Sequence, residues 1–297
     1  MKNSSKFNSL GGFPDLESFK DESGKYGYRE KKTQKIFIAP QFDAAYSFHE
    51  GIAAVKVDHK YGYIDRHGLI VIKLDYDWAS SFHNGLAMVE RNNRYGYINQ
   101  EGKEIVPIIY EHIDDFHEGL APVKLNDKWG YVDCSGKVVI PPRYDDSWCF
   151  NESLAAVRVD EKWGFIDKTG HLLIPLQYDY AWNFKEDVAA VKQNGKWGFI
   201  DKAGQEFLPF LYDEADSFSK GFAEVKMDTL WGVIDKTGTW VKPWVSIYSA
   251  TSEILQSKVA EYKFSRLTAN FIANIGLLIL STHLRSTSSI SSDGAIG

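Results

Sequence analysis

Hydrophobic and polar positions along this chain change places in short bursts, each too brief for a helix. The phrase KWGFID at 162–167 is rich in β-formers and predicts a strand. DKTG at 167–170 puts Asp first and Gly fourth, the signature of a type I turn whose glycine supplies the positive φ of a bulge. A second strand follows, as in KVVIP at 137–141. Pro141, Pro175 or Pro209 ends it by removing a ladder donor. A loop of the form YDxxxxF leads to a third strand such as LAAVRV at 154–159, and a short polar turn returns the chain to the next KWG. These elements predict a three-stranded antiparallel meander, with room for a short fourth strand in the YD segment.

The pattern repeats. The glycine of the aromatic-Gly pair falls at Gly27, Gly62, Gly96, Gly130, Gly164, Gly198 and Gly232, at a first interval of 35 residues and later intervals of 34. Ahead of it stand Tyr61, Tyr95, Trp129, Trp163, Trp197 and Trp231, and after it Tyr63, Tyr97, Tyr131, Phe165 and Phe199. Aromatic-acid pairs recur in register from Phe42-Asp43 to Tyr212-Asp213, and a phenylalanine column runs Phe48, Phe82, Phe116, Phe150, Phe184, Phe218. Seven units occupy 25–245, between an irregular segment at 1–24 and a different C-terminal stretch.

A unit this small cannot bury its own apolar face, so neighbours must stack into a continuous core. In KWGFID the rings flanking Gly share one face, and Gly and Ile share the other. The missing side chain then lets a neighbouring backbone or ring approach closely. Units of this length are short for propeller blades of about 40 residues or more. The end copies are also degenerate: Arg29 and Glu30 stand in for Ile and Asp, Ser246 and Ile247 for Tyr and Asp, and no LAAV-like strand precedes Gly27. The predicted fold is an all-β repeat array, an open β-solenoid, with a seven-bladed β-propeller as the alternative.

Residues 246–280 break the pattern. Apolar positions at 255, 259, 262, 267, 271, 275 and 278 have helical spacing, with Ser252 placed as N-cap, and predict a helix that caps the last repeat or forms a tail. The Ser-rich stretch 281–297 predicts disorder.

Composition changes the picture little. Aromatic residues make up 14%, which leans towards β, and the net charge of -6 argues against phosphate-backbone binding, so nucleic acid is not expected as a partner. Cys134 and Cys149 cannot form a disulfide framework and have no zinc-ligand spacing. No apolar signal region opens the chain, and the longest apolar run, 271–280, is about half of what a membrane span needs. A cytoplasmic location with no membrane span is the expectation.

KWGFIDKTG followed by IPxxYD and FxxGLAAV resembles the bacterial WG-repeat (KWG) family over about 25–245. The resemblance implies a β-rich array, in a family whose members mostly have no assigned activity. A looser similarity links the chain to the aromatic-Gly hairpin repeats of cell-wall-binding modules. Those form β-solenoids, and their aromatic pockets hold choline in some members. The units here are longer and lack the GWYY-type cluster.

Candidate chemistry is sparse. His49, His83 and His117 share one column and would stack into a ridge able to hold a ligand or a transition metal, against the alternative of a solvated loop position. The recurring aspartates fit turn chemistry, since each side chain can accept from the backbone two residues on. A residue repeated in every copy sits in the same environment each time, which argues for structure and against catalysis. The aromatic columns are read as a core, or, if exposed, as a surface for sugar rings or a cation. Lys25, Lys60, Lys128, Lys162 and Lys196 with Arg94 read as a mixed-charge face. The expectation is a non-enzymatic scaffold without a cofactor that binds a protein partner, with a carbohydrate or cell-envelope module as the alternative.

Overall fold

The computed structural model describes residues 14–228 and 230–243. It is an all-β array of seven antiparallel sheets, the first with three strands and the other six with four. The second sheet is representative: Ala44–Ala45, Ile52–Val57, Lys60–Asp65 and Ile70–Tyr76, in that spatial order. These are called here the short, Ala-Val, Trp-Gly and outer strands. The expected three-stranded unit is therefore corrected to four strands. The extra one is a two-residue strand just past the aromatic-acid pair, where Ala44 and Ala45 pair with Lys56 and Val55.

The sheet is out of phase with the sequence repeat. Each outer strand ends on the aromatic of the pair, and the next sheet opens one residue after the acid. Tyr76 ends the second sheet and Trp78 opens the third, so Asp77 alone links them. The segment expected to be irregular contributes Leu16–Lys20, which pairs with Tyr26–Glu30 in the Ala-Val position of the first sheet. The predicted C-terminal helix and the Ser-rich tail lie outside the described residues.

Register explains the glycine column. Tyr61 faces Tyr76 but Tyr63 faces Ile72, so the outer strand bulges over Gly62. A Cβ on Gly62 would sit 2.5 Å from the Ile72 carbonyl oxygen and 2.8 Å from the Lys73 carbonyl. At Gly198 the neighbours are the Phe210 ring, 2.9 Å away, and the Leu208 carbonyl. The turn aspartates are likewise local: Asp167 Oδ1 accepts from the backbone N–H groups of Thr169 and His171, and Gly170 closes the turn with φ +85.

The core is built between sheets. At the fifth–sixth interface Leu154, Ala156, Trp163, Phe165, Ile174 and Tyr178 pack against Ala181, Phe184, Ala189, Val191 and Ile200. Both aromatic columns thus face the following sheet, and the isoleucine column faces the preceding one. Across each of the six interfaces an aromatic after Gly meets the next unit's Phe at a centroid distance of 4.7 to 4.9 Å. Where that aromatic is tyrosine, its hydroxyl donates into the next sheet, as Tyr63 does to the Ser80 carbonyl at 2.8 Å and Tyr131 to that of Trp148 at 2.7 Å. Burial pushes the Tyr63 and Tyr131 hydroxyls far above the ordinary phenol range.

The end sheets differ from the rest. In the first, Glu17, Phe19 and Arg29 occupy the positions that Ala53, Val55 and Ile64 hold in the second. Arg29 bonds Glu17 at 2.9 Å and lies over the Phe19 ring. Every hydrophobic cluster of the described residues joins consecutive sheets, and none joins the seventh to the first.

Candidate functional site

Most repeated polar residues are occupied in stitching sheet to sheet. In five of the six aromatic-acid pairs the acid takes the lysine before its own sheet's Trp-Gly on one oxygen and a backbone N–H of the next sheet's hairpin on the other. Asp43 holds Lys25 at 2.5 Å and the Asp58 N–H at 2.9 Å; Asp213 holds Lys196 at 2.5 Å and the Asp228 N–H at 2.7 Å. Asp77 does the same with Lys60 and Asn92, Asp145 with Lys128 and Asp160, and Asp179 with Lys162 and Gly195. Glu111 substitutes in the third-to-fourth link and accepts from the N–H groups of Asn126 and Asp127. The lysine stripe is thus one half of a clamp.

The clamp makes a pH prediction. The Lys128 bond holds the Asp145 carboxyl below the ordinary range, helped by the Asp160 N–H and opposed by desolvation. A depressed folded-state value stabilises the fold fully above the unfolded pKa of about 3.9, and this is lost as pH falls through the folded value. Asp145→Asn is expected to lower stability at pH 7 by at most about 1 kcal/mol. The difference from the parent should vanish under strong acid, as read from urea midpoints across the acid range.

A second series runs along the turns between the short and Ala-Val strands. Glu50 and Gly51 both have positive φ, as a two-residue type I′ turn requires. The glutamates reach the next sheet: Glu118 accepts from the Ser153 N–H at 3.1 Å and pairs with Lys168 at 3.0 Å. Glu152 accepts from Glu186 and Asp187 and pairs with Lys202; Glu186 accepts from Gly221 and pairs with Lys236. Glu50 uses Gly85 and Gln100. The third–fourth interface has Asn84 in the acid position and Cys134 in the lysine position. A cavity of about 640 Å³ opens there, lined by Ser80, His83, Asn84, Asp115 and Cys134 among others.

Of the histidine ridge, His49 and His83 lie with ring centroids 5.1 Å apart, and His83 also lines that cavity. No group of three or more metal-ligating side chains occurs among the described residues. Next to the cavity wall, burial pushes the Asp114 carboxyl up, against the opposing influence of His112. A raised folded value costs stability above that value and is relieved as pH falls through it. Asp114→Asn is expected to raise the melting temperature at neutral pH, and the gain should shrink in acid.

The aromatic columns named from sequence are mostly core. Tyr63, Tyr131, Phe165 and Phe199 are fully buried, and Trp163 is 2% exposed, whereas Trp231 in the last sheet is 37% exposed. Sequence reasoning missed a different group. Trp148, Tyr180 and Trp182, from the short strands and the loops after them, are half-buried and form one ladder with Trp163 and Trp197. Trp148 and Trp182 are 5.4 Å apart, and Trp182 and Tyr180 5.1 Å. The Trp148 indole N–H donates to the Ala181 carbonyl at 3.1 Å. The signal available in sequence was adjacency between consecutive units, because these residues do not fill a column.

The structure defines an all-β repeat protein whose units interlock through recurring aromatic-Gly strands. The chain belongs to the family of WG containing repeats, whose model matches at 31–61, 61–95, 95–129, 129–163, 163–197 and 197–229. No curated protein matches it by sequence. Among solved structures it is similar to a eukaryotic initiation factor, at 11% identity and a TM-score of 0.47, covering 77% of this chain and 72% of that one. It is also similar to Kluyveromyces lactis Hsv2p, at 10% identity and a TM-score of 0.39, covering 63% and 71%. A third is the dihydro-heme d1 dehydrogenase NirN, at 13% and 0.38, covering 82% and 67%. Likeness at these scores carries no conclusion about closure or activity. No helix among the described residues is long and apolar enough to cross a membrane.

Proposed function

We propose that this chain is a non-catalytic binding scaffold, an open solenoid that holds a protein partner along the edge formed by its short strands. Openness is supported by the first sheet, where a paired arginine stands at a position that otherwise buries isoleucine against a preceding sheet. The observation that carries the binding reading is the half-exposed ladder of Trp148, Tyr180 and Trp182 on one edge, beside repeated polar residues already engaged in stitching. Partly exposed aromatics on a polar surface suit a protein interface, where tryptophan and tyrosine are common anchors. A glycan would need free ring faces. Trp148 and Trp182 instead stack on Trp163 and Trp197 at interplanar angles of 18° and 15°, which favours the protein partner.

The test is affinity capture from native extract with the full chain and with Trp148→Ala/Trp182→Ala. A partner that saturates the parent and is lost with the double variant supports the reading. Equal recovery on both, or no saturable partner, sinks it. Small-angle scattering on the same samples checks openness, since a closed ring would scatter as a compact particle.

A further inference from the structure

The two ends of the array are finished differently. At the start, the outward face has Glu17, Phe19 and Arg29 locked together, a polar lid on a single ring. At the other end, the seventh sheet presents the face that in every earlier unit is covered by the next sheet. Its residues are Phe222, Glu224, Trp231 and Val233, one period beyond Val188, Ala190, Trp197 and Phe199. Phe222 is 43% exposed where Val188 is 3%, and Trp231 is 37% exposed where Trp197 is 9%. Large apolar rings left open together on a sheet face mark a surface that is covered by something. In a stacked array that role falls to a terminal cap.

We infer that residues 252–280 of this same chain cover that face, laying the apolar positions Leu255, Val259 and Tyr262 over Phe222 and Trp231. Three observations point to this occupant. The chain continues for 54 residues beyond residue 243, directly from the outer strand Trp240–Pro243 of that sheet, so the segment is tethered beside the face at high effective concentration. Its first apolar residues, Leu255, Val259 and Tyr262, recur at helical spacing, which gives one stripe to lay on the face. Glu224 stands exposed within the face, and Arg266, four residues after Tyr262, continues the same stripe as a cation placed to meet it. A second copy is the competing occupant. Head-to-tail joining would set this apolar face against the Glu17–Arg29 pair and strip two charges of water, so a copy would have to meet it tail to tail.

The test uses the full chain with the photo-reactive residue benzoylphenylalanine in place of Phe222, irradiated at low protein concentration and mapped by mass spectrometry. The expected result is a cross-link from position 222 into peptides of 252–280 within a monomeric species. A cross-link between two copies, or none into that segment, overturns the proposal. Leu255→Asp/Val259→Asp in the same background should abolish the cross-link. It should also speed amide exchange in Phe222–Met227 and Leu230–Asp235 while leaving exchange in the fifth sheet unchanged. Unchanged exchange in the seventh sheet would likewise overturn the proposal, and it does so independently of whether any partner binds the short-strand edge.

Discussion

Gly164→Ala is expected to destabilise the array by about 3 kcal/mol, in the upper range for overpacking. The added methyl would stand 2.5 Å from the Ile174 carbonyl oxygen and 2.9 Å from the Leu176 nitrogen. Both are backbone atoms of a bulged strand, with no flexible side chain to move aside. Gly164 is fixed by space, since its φ is not among the positive ones. Gly119 is the control. Its φ is +87 but nothing lies within 4 Å of an added Cβ, so Gly119→Ala should cost only roughly 1 kcal/mol, for backbone strain. Urea midpoints of the two variants measure the difference. Equal losses would show that conformational freedom, and not close approach, explains the Trp-Gly column.

Ile166→Arg should have the larger consequence. Ile166 is fully buried against the fourth sheet, packed with Tyr131 and Phe150, and an arginine there has no carboxylate to meet. Truncation to alanine is expected to cost about 3 kcal/mol through the cavity it leaves. The charged variant should cost more, because an unpaired buried charge adds its desolvation. Among the described residues each sheet's core joins it only to its neighbours, so the damage should also divide the molecule. Unfolding followed by hydrogen exchange should show the sheets before 145 and those after it melting separately, where the parent melts together. A single cooperative transition in the variant would contradict nearest-neighbour coupling. Arg29 shows where the same substitution is tolerated: with Glu17 beside it and no other described sheet packed on it, the guanidinium remains partly in water.

The repeat, three of the four strands in each unit, the turn aspartates and the crowding over glycine were legible in sequence, because each is set by local chemistry repeated many times. The strand ends were not. Pro141, Pro175 and Pro209 do not end the outer strands but sit inside Val138–Tyr144, Leu172–Tyr178 and Glu206–Tyr212, in the bulge where a missing ladder donor is tolerated. The phase of the sheet was not. A period is the same wherever counting starts, and only pairing shows that Tyr76 closes one sheet while Trp78 opens the next. The strand Leu16–Lys20 was hidden for a related reason. The alanine and valine that mark this strand elsewhere are selected by a sheet in front, and here Glu17 and Phe19 face outward. Column reading also missed the Trp148–Tyr180–Trp182 ladder, because the column shared by Trp148 and Trp182 is aromatic in only some units and Tyr180 joins it from another column. The gap at Asn84 and Cys134 becomes visible only when two columns 50 residues apart, such as Glu118 and Lys168, are known to touch.

The single-residue joint has one more consequence. Consecutive sheets are connected by the acid alone, and at five of the six joints that acid is clamped on both sides by partners each unit brings with it, so these joints do not depend on their place in the series. KWGFID occurs identically at 162–167 and 196–201. A crossover between two such stretches of gene would delete or duplicate one whole sheet and rejoin the chain in frame, with every surviving contact of a kind already present. Length in this architecture is therefore a heritable variable that can change in single steps without inventing a new loop, and only the two terminal faces have to be kept.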